Sequence, residues 1–234
     1  MSLLKVHNID TNIDQYHILQ GVSFEANQGE VTVLLGRNGA GKTTTLRSIM
    51  GLNPVRSGTI SFKNKEIQTM ATHNIANEGI GYVPEDQRIF SGLTVEENLK
   101  VAMKKKDEQT QKRFEYVLVL FPDLKKLLYK KGGYLSGGQK QMLSIARAYV
   151  NNCELLLIDE PSKGLAPIIV EKVMESILDM KDKTTVVLVE QNFIMASSIG
   201  DKFYILDDGK TVRNGKMREL KEDEALRRQY LGIA

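Results

Sequence analysis

The chain has 234 residues, is 41% hydrophobic and 26% charged, and carries a formal net charge of +3. That length suits one compact α/β domain with a subdomain, and so small a basic excess excludes the concentrated positive field of a nucleic-acid binder. Cys153 is the only cysteine, which excludes an internal disulfide or a cysteine-caged zinc and points to a reducing compartment.

Residues 3–9, 21–26 and 59–62 read as short strands set off by the glycine-containing turns NQGE and RSG, predicting an antiparallel layer beside the main sheet. Aliphatic runs stand at 31–35, 80–83, 155–159, 185–189 and 203–207. Most are continuous, which suits strands covered on both faces in a parallel sheet. Between Thr94 and Tyr149 the pattern is helical. Thr94 with Glu97 fits a capping box, and Phe114, Val117, Leu118 and Phe121 form a stripe that stops at Pro122. The short basic run Lys104 to Lys106 reads as a solvated helix end. This block, about residues 91–150, is too long for a simple crossover and is expected to be an inserted helical subdomain. From Pro167 a further helix would bury Val170, Val173, Met174, Ile177 and Leu178. The opening MSLLKVHNID lacks a secretory apolar core, and no run of about 18 apolar residues occurs, so the chain is not expected to cross a membrane by itself.

The chemistry concentrates in three places. LLGRNGAGKTTT places Gly36, Gly41, Lys42 and Thr43 in the spacing G-x-x-x-x-G-K-[ST], after a strand and before a helix. Glycines let successive N–H groups face phosphate oxygens, and the helix N-terminus adds partial positive charge. Lys42 is expected to reach the β- and γ-phosphates and the Thr43 hydroxyl to ligate Mg²⁺. The loop Gly36, Arg37, Asn38, Gly39, Ala40, Gly41, Lys42, Thr43 and Thr44 is the expected cradle. Downstream, ELLLIDEP ends a strand in Asp159, a Mg²⁺ holder through water, and Glu160, a general base toward an attacking water. Finally, Ser136, Gly137, Gly138 and Gln139 open a helix and form a second anion site, while Met142, Ile145, Ala146 and Tyr149 give that helix its buried stripe. One chain has no use for two phosphate sites on one nucleotide. The second makes sense if it completes the cradle of a neighbouring copy.

GRNGAGKTT, LSGGQ and LLLIDEP, in that order, resemble Walker A, the signature and Walker B of ABC transporter ATP-binding subunits, and the likeness covers essentially the whole chain. It implies a single ATP-binding domain over residues 1–234 with a P-loop NTPase fold: α/β, a mainly parallel core, an N-terminal antiparallel layer and the helical insertion. It also implies an ATPase using ATP and Mg²⁺, with two subunits sandwiching two nucleotides. Ser136, Gly137, Gly138 and Gln139 would then contact the γ-phosphate of ATP held by the partner. The implied partners are a second ATP-binding subunit, two membrane permeases and, indirectly, a substrate-binding protein, at the cytoplasmic face of the cell membrane and without nucleic acid.

Several positions depart from the family pattern. Glu85 stands where V-P-Q is common, with Gln87 two residues later, and Glu85 is a candidate Mg²⁺ ligand. Gln191 replaces the usual histidine; it can hydrogen-bond a γ-phosphate but carries no proton. SKGLAP has Ala166 in the place where aspartate is usual. Tyr16 is the nearest tyrosine for stacking on adenine. VPE, LTVEENL, DEPSxGLAP, VEQN and the terminal YLGIA resemble the shorter ATPase subunit of branched-chain amino acid importers, a urea or short-chain amide importer being the alternative. A soluble ATPase acting on DNA or ribosomes would carry coiled-coil, zinc or second-cassette modules that the sequence lacks. A regulatory module with weak turnover is the remaining reading.

Overall fold

The computed structural model describes residues 1–103, 107–151 and 153–232; the basic run at 104–106 and the last two residues of YLGIA lie outside them. β1 (Ser2–Ile13) and β2 (Tyr16–Asn27) form an antiparallel hairpin closed by the Ile13–Tyr16 pair. β3 (Val31–Leu35) leads through the glycine loop into α1 (Lys42–Ile49). β4 (Ser57–Phe62) and β5 (Lys65–Glu66) complete an antiparallel sheet of order β2-β1-β4-β5. α2 (Thr72–Asn77) and β6 (Ile80–Val83) follow. Next comes the helical block: α3 (Val95–Ala102), α4 (Glu108–Leu120), α5 (Pro122–Lys126), a 3₁₀ turn and α6 (Gly137–Tyr149). The chain returns through β7 (Leu155–Asp159), α7 (Pro167–Lys181), β8 (Thr185–Val189), α8 (Phe193–Ile199) and β9 (Lys202–Asp207). It finishes with β10 (Lys210–Lys216), α9 (Met217–Glu222) and α10 (Glu224–Leu231).

The second sheet has the order β10-β9-β3-β8-β7-β6 and is parallel except for β10. Its strands explain the unbroken aliphatic runs. Along β3, Val31, Val33 and Leu35 join the core that holds α3, α6 and α7, whereas Leu34 joins the core shared with α1 and the antiparallel sheet. β7 divides in the same way, with Leu156 and Ile158 on one side and Leu155 and Leu157 on the other. Period two on a strand buried on both faces favours apolar residues along its length, with Thr32 on β3 and Asp159 at the end of β7 as buried polar exceptions.

Local signals also hold. Thr94 and Glu97 make the capping box at α3, and Pro167 opens α7. Phe114, Val117, Leu118 and Phe121 are buried, and Pro122 begins α5 as well as ending the stripe. On α7 the expected stripe needs one correction: Val170, Val173 and Ile177 are buried, but Leu178 is 42% exposed and Met180 is buried instead. A step of 100° beyond Ile177 takes Leu178 off the face, while three residues bring Met180 back to it. β5 and β10 were not expected, being polar edge strands with largely exposed residues.

Candidate active site

Loop 36–41 sits at the carboxyl end of β3, beside the carboxyl ends of β7 and β8, where ligands collect in open α/β sheets. Gly36 has φ 151°, and a Cβ there would lie 2.3 Å from the Leu206 carbonyl oxygen, so only glycine lets the loop leave the sheet. α1 starts without a side-chain cap and without an acidic residue in its first turn. Its first N–H groups therefore have no intrahelical acceptor and no competing local anion. Lys42 is 5% exposed; its ammonium donates to the Gly36 and Arg37 carbonyls at 3.0 and 3.1 Å and lies 3.5 Å from Glu160 Oε1. These oxygens occupy the donors of an ammonium otherwise suited to phosphate.

The acids are brought together across long sequence distances. Thr43 Oγ1 donates to Asp159 Oδ1 at 3.0 Å, and the Tyr82 hydroxyl donates to Asp159 Oδ2 at 3.4 Å. Asp159 is buried, and burial pushes its carboxyl up to about 6; the Thr43 bond opposes this, the charges of Glu160 and Glu85 add to it, and the Tyr82 bond opposes it. Burial and the Asp159 charge also raise Tyr82, which keeps the phenol protonated as a donor. Glu160 adopts φ 45°, a left-handed conformation that is costly outside glycine and typical of functional turns. Its N–H donates to the Val189 carbonyl at 2.9 Å, which aims the side chain back at Lys42. Gln191 Nε2 donates to Glu160 Oε1 at 2.8 Å and to Asn38 Oδ1, so the expected base and the glycine loop meet on one amide.

An open cleft of about 290 Å³ is lined by Asn38, Gly39, Gly41, Lys42, Thr43 and Thr44 of the loop and helix. Ile13 and Ile18 line it too, as do Glu85, Glu160 and Lys163. Tyr16 is not among the lining residues; it pairs with Ile13 just past the hairpin turn and is 63% exposed. Thr43, Asp159 and Glu85 offer oxygen donors only, the chemistry of a hard cation such as Mg²⁺. Among the described residues no group of three or more His, Cys, Asp and Glu side chains forms a ready cage. A site with few carboxylates fits Mg²⁺ that arrives with phosphate oxygens of its own.

The second glycine cluster lies outside this cleft. Ser136 caps α6: its Oγ accepts from Gln139 N–H at 3.3 Å, while Gln139 Oε1 accepts from Ser136 N–H at 3.0 Å. The reciprocal box presents Ser136 and Gly137 to solvent. Segment 84–93 ties the cluster to the cleft. Glu85 lines the cleft, and Gln87 Nε2 reaches the Gly137 carbonyl at 3.4 Å. Ser144 Oγ donates to the Gln87 carbonyl at 2.9 Å and Arg147 to that of Arg88 at 2.6 Å.

Sequence reading missed Glu190. It is 1% exposed and accepts from Ser162 N–H and Oγ, Gln191 N–H and Asn192 N–H at 3.0–3.1 Å, binding the turn after Glu160 to the turn carrying Gln191. Burial raises its carboxyl against those bonds. An acid closing an otherwise apolar strand was the available signal. Lys163, Tyr82 and the Ile13–Ile18 wall were missed as well.

The family model described as ABC transporter matches residues 19–163. The chain belongs to the ABC transporter ATP-binding family. As a member it is an ATPase subunit whose hydrolysis is coupled to transport. It is 37% identical over 234 residues to the probable branched-chain amino acid transport ATP-binding protein LivF of Archaeoglobus fulgidus, covering 99% of each. Against the high-affinity branched-chain amino acid transport ATP-binding protein BraG of Pseudomonas aeruginosa identity is 39%, covering 98% of this chain and all of the relative. The lipopolysaccharide export ATP-binding protein LptB of Haemophilus influenzae is 34% identical, with 99% and 98% covered. A crystal structure of a nucleotide-free ABC transporter cassette superposes with a TM-score of 0.86 at 26% identity, covering both chains fully. A dimeric bacterial ABC cassette gives 0.82 at 26% identity, covering 92% of this chain and 99% of the other. The P-loop NTPase expectation, with its mainly parallel core and antiparallel layer, therefore holds for this ABC cassette.

Proposed function

We propose that this ABC cassette powers an importer of branched-chain amino acids. Full-length likeness to LivF and BraG carries the reading. In it the whole chain is one ATP-binding domain with residues 91–150 as a helical arm. It sits at the cytoplasmic face of the membrane, paired with a second ATP-binding subunit and two permeases that receive amino acids from a binding protein. No helix among the described residues is long and apolar enough to cross a membrane.

Lys42 and the first-turn N–H groups of α1 bind the β- and γ-phosphates, while Ile13 and Ile18 border the base, with Tyr16 nearby on the hairpin. Thr43, Asp159 and Glu85 are the residues that would hold Mg²⁺. When bound, Mg²⁺ would neutralise charge building on the phosphate oxygens. Glu160 takes the proton of a water that attacks the γ-phosphorus as the bond to ADP breaks, and Gln191 holds Glu160 in place. The cleft is open on one side, where Ser136, Gly137, Gly138 and Gln139 of a partner complete it. ATP touching both partners stabilises only the closed pair, and hydrolysis releases it.

A groove of about 280 Å³ lined by Leu52, Tyr82, Pro84, Gln87, Arg88 and Arg147, among others, offers the permease a seat where segment 84–93 meets α6. Phe90, 45% exposed with the Arg147 guanidinium 4.7 Å above its ring, stands in the same segment. The test is reconstitution with the two permeases and the binding protein of a branched-chain amino acid importer. ATPase activity stimulated by leucine, isoleucine or valine supports the reading; stimulation by urea or short amides, or by a lipopolysaccharide in the exporter arrangement of LptB, overturns it.

A further inference from the structure

The cleft is lined by two carboxylates, Glu85 and Glu160, and two lysines, Lys42 and Lys163, with Asp159 behind it as the acceptor of the Thr43 hydroxyl. Lys42 is buried and fixed by carbonyls of its own loop. Lys163 is different. Its backbone is held, since its N–H donates to the Glu160 carbonyl at 3.2 Å and the preceding Ser162 is pinned by Glu190. Its side chain is 60% exposed, and the ammonium reaches Glu85 as well as Glu160 Oε2 at 3.8 Å. Glu160 Oε1 is already occupied by Lys42 and Gln191. The outcome is an alternating chain, Lys42–Glu160–Lys163–Glu85, that runs from the phosphate loop to the segment carrying Glu85.

A strongly hydrated point charge on a flexible stem is easily displaced by a divalent ion seeking the same carboxylate. We infer that Lys163 is a displaceable counter-cation that bridges Glu85 and Glu160 before a divalent ion arrives and thereby sets how much free Mg²⁺ the cleft requires. The inference rests on the nucleotide reading above. Two opposite effects follow. Lys163 offsets the acidic wall for a metal-free polyphosphate, and it competes with Mg²⁺ for Glu85.

The test uses purified nucleotide-free protein and a fluorescent, non-hydrolysable ATP analogue, titrated in EDTA and again across free Mg²⁺. A partly exposed ion pair contributes modestly, so Lys163→Leu should lower the Mg²⁺ concentration for half-maximal binding about two- to fivefold and weaken binding in EDTA by a similar factor. Lys163→Arg, which keeps the charge, should retain binding in EDTA. In a Glu85→Gln background the Lys163→Leu shift in Mg²⁺ dependence should disappear. Unchanged Mg²⁺ dependence in Lys163→Leu, or a shift toward higher Mg²⁺, overturns the inference and leaves the nucleotide site standing. Absence of binding by the wild-type chain at every Mg²⁺ concentration overturns both.

Discussion

Replacing Asp159 by Asn should stabilise the protein when neither metal nor nucleotide is present. The buried carboxyl is raised from 3.8 to about 6, chiefly by burial and further by the charges of Glu160 and Glu85. The folded state thus holds its proton more tightly than the unfolded state, so between these two values stability falls as pH rises. At about 1.4 kcal/mol for each tenfold change in proton affinity, the ionised carboxylate costs the fold about 3 kcal/mol near neutral pH. Asn keeps an oxygen to accept from Thr43 while removing the charge. The variant should therefore gain up to about 3 kcal/mol at roughly pH 7.5, about half of that near pH 5 and little near pH 4. For a chain of this size the full gain is a rise of about 6–12 °C in melting temperature. The assay is thermal and urea unfolding of both proteins in EDTA at those pH values. With Mg²⁺ and ATP the order should reverse, because only the wild type retains the carboxylate that would hold the ion. A variant no more stable than wild type at neutral pH in EDTA, or a gain that grows toward low pH, would refute the reasoning.

Glu160→Gln should lower ATPase turnover by about 10²–10⁴ while leaving nucleotide affinity within a few fold, read by steady-state hydrolysis and equilibrium binding. In that slow background ATP should drive pairing visible by sedimentation, and Ser136→Ala or Gly138→Ala should abolish it. Ser136→Ala also removes the α6 cap, costing about 1 kcal/mol of stability. At Gly138 a Cβ would stand 2.4 Å from Ile169 Cγ2, so α6 and α7 must separate slightly at the turn proposed to face the partner. Glu190→Ala should destabilise the chain by about 2–4 kcal/mol in chemical unfolding, since the N–H groups of Ser162, Gln191 and Asn192 lose a buried acceptor.

The sequence by itself determined what depends on neighbours along the chain. A strand covered on both faces is mostly apolar, so β3, β6, β7 and β8 announced themselves by composition. The capping box at Thr94, the helix start at Ser136 and the proline that opens α7 act within one turn and were equally legible, as was the glycine spacing of loop 36–41. The polar strands β5 and β10 were not, because an edge strand takes its identity from the partner it pairs with. Tyr16 lay close to the cleft in sequence, yet Ile13 and Ile18 form its wall, because the hairpin turn decides direction and the linear order does not. Only the tertiary structure set Thr43 against Asp159, 116 residues away, and Lys163 between Glu85 and Glu160. Electrostatic energy depends on distance through space, and folding alone brings those charges within reach of one another.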